Sequence, residues 1–389
     1  MNKKHLLLLG TAITVLSSCN QPQNLNGVLT DYETDSIFLY QVKNEHYGSG
    51  EYRQSIPVTD GKFSIALDSI PTGLYCLSLQ NTESGEYLED YANLFLEPAR
   101  MEVSISKNKY DKMFLQAVGS PLEDKYTAFQ KAKDEAGNRV LLDSLDFLFY
   151  KAREKEDRTE MERIREVSGP HYESGREQVN ALLKTEIEKN KGTYFGLYLY
   201  YTYRFQNNTF GSKEEIAEVR KYINEFDQMS KQSNFFTKIE ETLNRFEKCA
   251  IGSPAPEISG IDQEGKAVTL NDFKGQYVLV DFWSSGCHWC RLETPNLLKT
   301  YNTFKDKNFT ILGVSSDYKE EDWKKAIEED KSYWNQILLP KKSIREVMDR
   351  YCIVGIPHII LIDPNGVIIA KELREENIYI TVEKFVNSK

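Results

Sequence analysis

The sequence predicts a multi-domain protein with three parts. These are an N-terminal antiparallel β domain over 25–118, a central α-helical segment over 119–248 and a C-terminal α/β domain over 251–389. Three observations predict it. Phe63, Ile65 and Leu67 alternate with Lys62, Ser64 and Ala66, the two-residue period of a strand with one buried face. Ile216, Val219, Ile223 and Phe226 then recur at helical spacing. Beyond Ile251-Gly252-Ser253-Pro254-Ala255-Pro256, strand-like and helix-like stretches alternate, as in α/β domains.

In the first part, Asp60-Gly61 ahead of the alternating run is a hairpin-type turn. Ser36–Tyr40, Leu74–Leu79, Asn93–Leu96 and Glu102–Ile105 are further strands. Short strands separated by turn residues predict a small antiparallel sheet or sandwich.

In the second part, Leu141, Leu145 and Leu148 mark a helical face, and Gly169-Pro170 and Gly211-Ser212 punctuate the segment. Tyr194–Phe205 is unusually aromatic. A ligand groove would use such a stretch, but aromatic residues at helical spacing more often form core, and a packed helix is the expectation.

In the third part, Tyr277–Phe282 is an apolar strand holding one acid, Asp281, and Phe309–Val314 is a second strand. Ile359–Ile362 and Val367–Ala370 flank the turn Asp363-Pro364-Asn365-Gly366. Helices are expected after Cys287, over Glu320–Asp330, over Ser343–Tyr351 and at the C-terminus.

The chain of 389 residues is long enough for two or three cores, with 40% hydrophobic and 28% charged residues. A net charge of -10 without a basic block excludes nucleic acid as a partner, since phosphate binding needs clustered Lys and Arg. Lys3 and Lys4 precede an apolar run, Leu6–Leu16, too short to span a bilayer but suited to a signal-peptide core. Leu16-Ser17-Ser18-Cys19 resembles a bacterial lipobox. Residues 1–19 are therefore expected to be a lipoprotein signal peptide, with Cys19 lipidated and the body tethered to a membrane outside the cytoplasm. Of the other cysteines, Cys287 and Cys290 form a C-x-x-C pair. Cys76, Cys249 and Cys352 stand isolated, each expected to be a buried small hydrophobe.

Val280-Asp281-Phe282-Trp283-Ser284-Ser285-Gly286-Cys287-His288-Trp289-Cys290 reads as a buried strand, a turn, and a helix opening at the first cysteine. A thiolate there meets unpaired amides and the positive end of the helix dipole. These lower a thiol pKa from about 8.5 toward neutrality. The second cysteine lies one helical turn on, placed to displace a mixed disulfide.

Here the chain resembles the thioredoxin superfamily, and within it the TlpA/ResA type of membrane-anchored thiol–disulfide oxidoreductase. The resemblance covers about Ile251–Lys389. It rests on the Val-Asp-Phe-Trp strand before C-x-x-C, Pro295 at the helix-kink position, Gly355-Ile356-Pro357, the Asp-Pro-Asn-Gly hairpin and the Gly-Ser-Pro-Ala-Pro opening. The β-rich segment is similar to the N-terminal domain that often precedes such modules in bacterial lipoproteins.

The resemblance implies a thioredoxin-like fold, with Cys287 the exposed nucleophile and Cys290 the buried resolving thiol. Asp281 matches the buried carboxylate that handles protons for the second cysteine, and Glu293 matches an acid of the TlpA/ResA branch. Pro357 matches the cis-proline that leaves Ile356 free for strand-like pairing with a substrate, beside His288 and Trp289. The Cys287–Cys290 disulfide would be its own redox centre, with no cofactor or metal. The implied partners are disulfide-containing exported proteins and a membrane thiol-reducing donor. Gly286 replaces the Trp common before the first cysteine, and His288-Trp289 replaces Gly-Pro. A His donor beside the thiolate would favour the reduced form and a more oxidising couple.

Three rivals remain at this level. Zinc would draw on Cys287, Cys290, Cys352 and His358, but a cis-Pro357 blocks that geometry and no second C-x-x-C exists. A peroxiredoxin-like peroxidase needs Pro where Val280 stands, although Ser284 fits. A non-enzymatic lipoprotein binding module would carry the redox domain passively.

Overall fold

The computed structural model describes residues 23–44, 49–80, 90–108, 112–206 and 208–387; the signal-peptide region and Cys19 lie outside them. The chain divides into two compact units, Met1–Leu182 and Leu183–Lys389.

The first unit opens with β1 (Asn24–Leu29), β2 (Ser36–Asn44), β3 (Ser49–Pro57) and β4 (Lys62–Ala66). β5 (Gly73–Ser78), β6 (Tyr91–Leu96), β7 (Met101–Lys107) and β8 (Met113–Val118) follow. They form two four-stranded sheets, in the orders β4-β1-β7-β8 and β3-β2-β5-β6. Pairing is antiparallel except between β1 and β7. Leu25, Ile65, Val103 and Ile105 from one sheet share a core with Ile37, Leu39, Tyr75 and Leu94 from the other, a sandwich as the alternation predicts. Asp60 and Gly61 both take positive φ, the geometry of the predicted turn.

Three helices follow: α1 (Pro121–Ala136), α2 (Arg139–Glu154) and α3 (Arg158–Lys189). Ser120 caps α1 by accepting the Glu123 amide. Two expectations fail here. The Leu141–Leu145–Leu148 face of α2 does not enter the core: Leu141 and Leu148 are exposed, and Leu142 is the buried leucine. Nor does Gly169-Pro170 interrupt the chain, since α3 runs through it. A proline removes one helical hydrogen bond, a loss that this 32-residue helix carries. Tyr172 donates to Asp146 of α2 at 2.7 Å, and Gly175 lies so close to Gly137 that a Cβ would meet its carbonyl oxygen at 2.9 Å.

In the second unit, α4 (Tyr194–Tyr200) passes into a π-helical turn, Tyr201–Phe205. Tyr194, Phe195, Tyr198 and Phe205 are buried, so the aromatic stretch is core, as expected. α5 (Lys213–Asn224), α6 (Gln228–Lys231) and α7 (Asn234–Glu247) complete the helical part, with a Ser212/Glu215 capping box opening α5.

The α/β domain runs β9 (Ser259–Ile261), β10 (Ala267–Thr269), β11 (Tyr277–Trp283), α8 (His288–Phe304), β12 (Phe309–Ser315), α9 (Glu320–Asp330) and β13 (Asn335–Leu338). It continues with α10 (Ile344–Arg350), β14 (His358–Ile362), β15 (Ile368–Ala370) and α11 (Glu376–Val386). The sheet order is β10-β9-β13-β12-β11-β14-β15, with β11, β12 and β13 parallel and β14 antiparallel to β11. β11 lies inside this thioredoxin-like sheet, between β12 and β14. Its apolar run, broken only by Asp281, follows from burial on both faces. Leu297 and Phe304 of α8, with Ile378 and Val382 of α11, cover Leu279, Ile311 and Leu361. Trp323 and Ile327 of α9 pack with Trp283 and Cys290.

Candidate functional site

β11 ends at Trp283, where the chain turns into α8. The turn is pinned from β12's far end. Asp317 accepts the Ser285 amide at 2.9 Å and the Ser285 hydroxyl at 2.6 Å. Trp283 Nε1 donates to Gln336 Oε1 at 3.2 Å. Arg291 reaches back to the Ser285 carbonyl at 3.4 Å and also pairs with Glu329 and Asp330. This bracing fixes the point at which α8 begins.

That point is Cys287. It is the N-cap of a 17-residue helix, and its sulfur accepts the Cys290 amide at 3.2 Å. An anion in this position is stabilised by unpaired N–H groups and the helix dipole. Cys287 is half-buried and Cys290 buried, and the two are joined as a disulfide with an S–S distance of 2.07 Å. Cys287 is the more exposed of the two, and Cys290 is enclosed behind it.

Facing the pair is the loop before β14, with a cis Ile356–Pro357 peptide. The Ile356 carbonyl oxygen lies 3.8 Å from Cys287 Sγ, and Ile356 packs against Cys287 and Cys290. Arg374 donates to the Pro357 carbonyl and, at 2.8 Å, to that of Leu373. An open cleft of about 380 Å³ beside the disulfide is lined by Trp289, Leu292, Glu293, Ile356, Pro357 and Arg374. Trp289 is 70% exposed, an unusual state for so large an apolar ring. His288 is also exposed, with its ring centroid 5.5 Å from that of Trp289.

Asp281 lies within β11, buried, and its Oδ1 has no hydrogen-bond partner. Burial pushes its pKa up to about 7; the Arg374 guanidinium opposes the rise and the Glu293 carboxylate adds to it. Glu293 is also buried, but it is tied down, accepting the Glu375 amide at 2.9 Å and the Asn296 side-chain amide at 3.2 Å. The two acids thus differ: one is held by donors, the other stands unpartnered. His358 pairs in register with Phe282, and burial holds its pKa down at about 4.

The structure brings Cys287, Cys290, Ile356 and Pro357 together, with Trp289 and Glu293 lining the adjoining cleft. His358 and Cys352 do not join the cysteine pair, and no cluster of three or more metal-ligating side chains occurs among the described residues. Asp317, Gln336 and Arg374 went unnoticed in the sequence. They act across separations of 32, 53 and 17 residues respectively, and none belongs to a local motif.

Residues 251–371 match the AhpC/TSA family, and residues 24–126 match a domain of unknown function (DUF4369). The chain is 28% identical over 151 residues to the thiol-disulfide oxidoreductase ResA of Bacillus cereus. The match covers 39% of this chain and 85% of that protein. It is 31% identical over 124 residues to ResA of Bacillus subtilis, covering 32% of this chain and 67% of that one. Among solved structures, it is 70% identical to the thioredoxin domain of a thiol-disulfide oxidoreductase from Bacteroides vulgatus. That match covers 36% of this chain and 99% of that domain, with a TM-score of 0.35. A thiol:disulfide interchange protein from Bacteroides sp. is 69% identical, covering 36% and 93%, with a TM-score of 0.35.

Proposed function

We propose, for a chain that belongs through its C-terminal domain to the thiol–disulfide oxidoreductases of the ResA kind, that it reduces or isomerises disulfides of exported proteins in the cell envelope. The observation that carries this is the placement of Cys287: at the cap of α8, half-exposed, with Cys290 buried behind it and the Ile356 carbonyl in front.

In the reduced enzyme, the Cys287 thiolate attacks one sulfur of a client disulfide. The client S–S bond breaks, a Cys287–client disulfide forms, and the first client thiolate leaves. Cys290 then gives up its proton and attacks Cys287. The second client thiolate departs, and the Cys287–Cys290 disulfide remains. Two electrons pass from the enzyme to the client. A membrane thiol-reducing donor restores the dithiol, and the cysteine pair serves as the whole redox centre. Asp281, unpartnered and titrating near neutrality, accepts the Cys290 proton. Glu293 positions the Glu375 turn beside the cleft. Ile356 and Pro357 offer backbone to an extended client segment, with Trp289 and His288 at the rim.

The segment preceding 251 is read as two parts, 25–118 and 119–248, that dock clients or shield the site. Cys19 is read as the lipid attachment point. Neither role enters the chemistry.

Trapping tests the reading. Cys290→Ser in the full chain should accumulate Cys287 covalently joined to exported proteins, and Cys287→Ser/Cys290→Ser should capture none. Equal capture by the double variant would contradict it, as would peroxide consumption outpacing disulfide reduction.

A further inference from the structure

Cys249 and Cys352 stand 103 positions apart in sequence (352 less 249), yet both sulfurs come to adjacent carbonyls at the C-terminal end of α7. Cys249 follows α7 and is fully buried. Cys352 follows α10 and is nearly so. The Lys371 ammonium lies 3.6 Å from the Cys249 sulfur and 2.8 Å from the Cys249 carbonyl oxygen, and the Cys249 thiol donates to the Phe246 carbonyl oxygen at 3.5 Å. Cys352 Sγ also lies 3.4 Å from the Arg245 carbonyl oxygen.

Two features distinguish this from a pair of buried hydrophobes. A hydrophobe gains nothing from an ammonium beside it, whereas a thiolate does. A metal ion is disfavoured by the same cation. Cys352 also has φ +55, in the left-handed region. Its amide donates to Asp349 and that of Ile353 to Met348, the closure of a helix end where glycine fits without strain. A thiol stands there instead.

We propose that Cys249 and Cys352 are a second redox-active dithiol, closing to a Cys249–Cys352 disulfide by exchange with a low-molecular-weight disulfide. The Cys249 thiolate attacks the small disulfide RSSR, forming Cys249–S–S–R and releasing RS⁻, which takes up the proton Cys249 has lost. Cys352 gives its proton to the second departing RS⁻ as it attacks the Cys249 sulfur. The sum is two protein thiols plus RSSR going to one protein disulfide plus two RSH. The Lys371 ammonium, 3.6 Å from the Cys249 sulfur, favours the thiolate there and draws its pKa down, while burial raises that of Cys352, so Cys249 attacks first. The bond would staple the entry of the α/β domain to the stretch leading into cis Ile356–Pro357.

The test uses the full chain with Cys287→Ser/Cys290→Ser, equilibrated in graded mixtures of reduced and oxidised glutathione. Samples are acid-quenched, unfolded, alkylated, digested and mapped by mass. The expected result is one cross-linked peptide joining Cys249 and Cys352, formed with a two-electron dependence on the ratio and reversed by dithiothreitol. The cross-linked chain should melt at least about 5 °C higher, since a loop of about a hundred residues is closed. Two alkylatable thiols at the most oxidising ratio would overturn the proposal. Separate glutathione adducts, or a cross-link to Cys76, would overturn it equally. Wild-type chain is mapped in parallel, with its Cys287–Cys290 cross-link as the internal standard, so misfolding of the variant does not decide the outcome.

Discussion

Each compact unit buries a carboxylate whose pKa burial pushes up to about 7: Glu123 in the first, Asp281 in the second. Their surroundings differ. Glu123 accepts the Phe95 amide at 2.5 Å and the Thr127 hydroxyl at 2.9 Å, joining α1 to β6. Asp281 leaves Oδ1 without a partner and lies within the strand that feeds the cysteine turn. A buried acid held by donors works as a structural joint. One left unpartnered beside a redox centre keeps its freedom to change charge, which is what a proton carrier needs.

The largest expected effect separates the two in activity. Asp281→Asn should slow turnover about 10²-fold near neutral pH, read as disulfide-reduction kinetics, because the Cys290 proton loses its acceptor. Glu123→Ala should leave that rate unchanged. Its effect should appear in denaturant unfolding of the first unit, as a loss of about 1–3 kcal/mol, since the Phe95 amide is left buried and unpaired. If Glu123→Ala slowed catalysis or Asp281→Asn left it intact, the contrast between the two acids would fail.

A pH effect follows for both. Folded, each acid keeps its proton up to about pH 7; unfolded, each loses it near pH 4. Between those values the folded chain holds the extra protons. Their contribution to stability is therefore complete below about pH 4 and falls as pH rises toward 7. Denaturation midpoints from pH 4 to 8 should show that decline, and each substitution should flatten its share.

The smallest effect is at the rim. His288→Ala should shift the reduction potential of the pair by only a few tens of millivolts, toward a more reducing couple, as measured in glutathione buffers. His288 is exposed, and solvent screens what it contributes to the thiolate.

The site's centre was legible because its signals are local. A buried strand, a turn and a helix-opening cysteine pair follow one another directly, and Gly355-Ile356-Pro357 is a contiguous motif. What stayed hidden depends on long-range contact. Asp317 pins the Ser285 turn across two strands, Arg374 caps the Pro357 carbonyl from beyond β15, and Lys371 joins Cys249. The isolated cysteines read as separate hydrophobes for the same reason, since nothing in the intervening sequence announces that Cys249 and Cys352 both reach the end of α7. The helical segment misled differently. Periodicity placed Leu141 and Leu148 inward, but Leu142 is the leucine that α2 buries, and α3 continues through Pro170. Hydrophobic spacing fixes that a helix has a face, and the neighbours decide which face is covered.

The most direct test is the rate at which a preformed Cys287 mixed disulfide resolves, followed from pH 5 to 9 in wild type and Asp281→Asn. The account predicts an inflection near pH 7 in wild type that Asp281→Asn abolishes. An unchanged inflection in Asp281→Asn would contradict it.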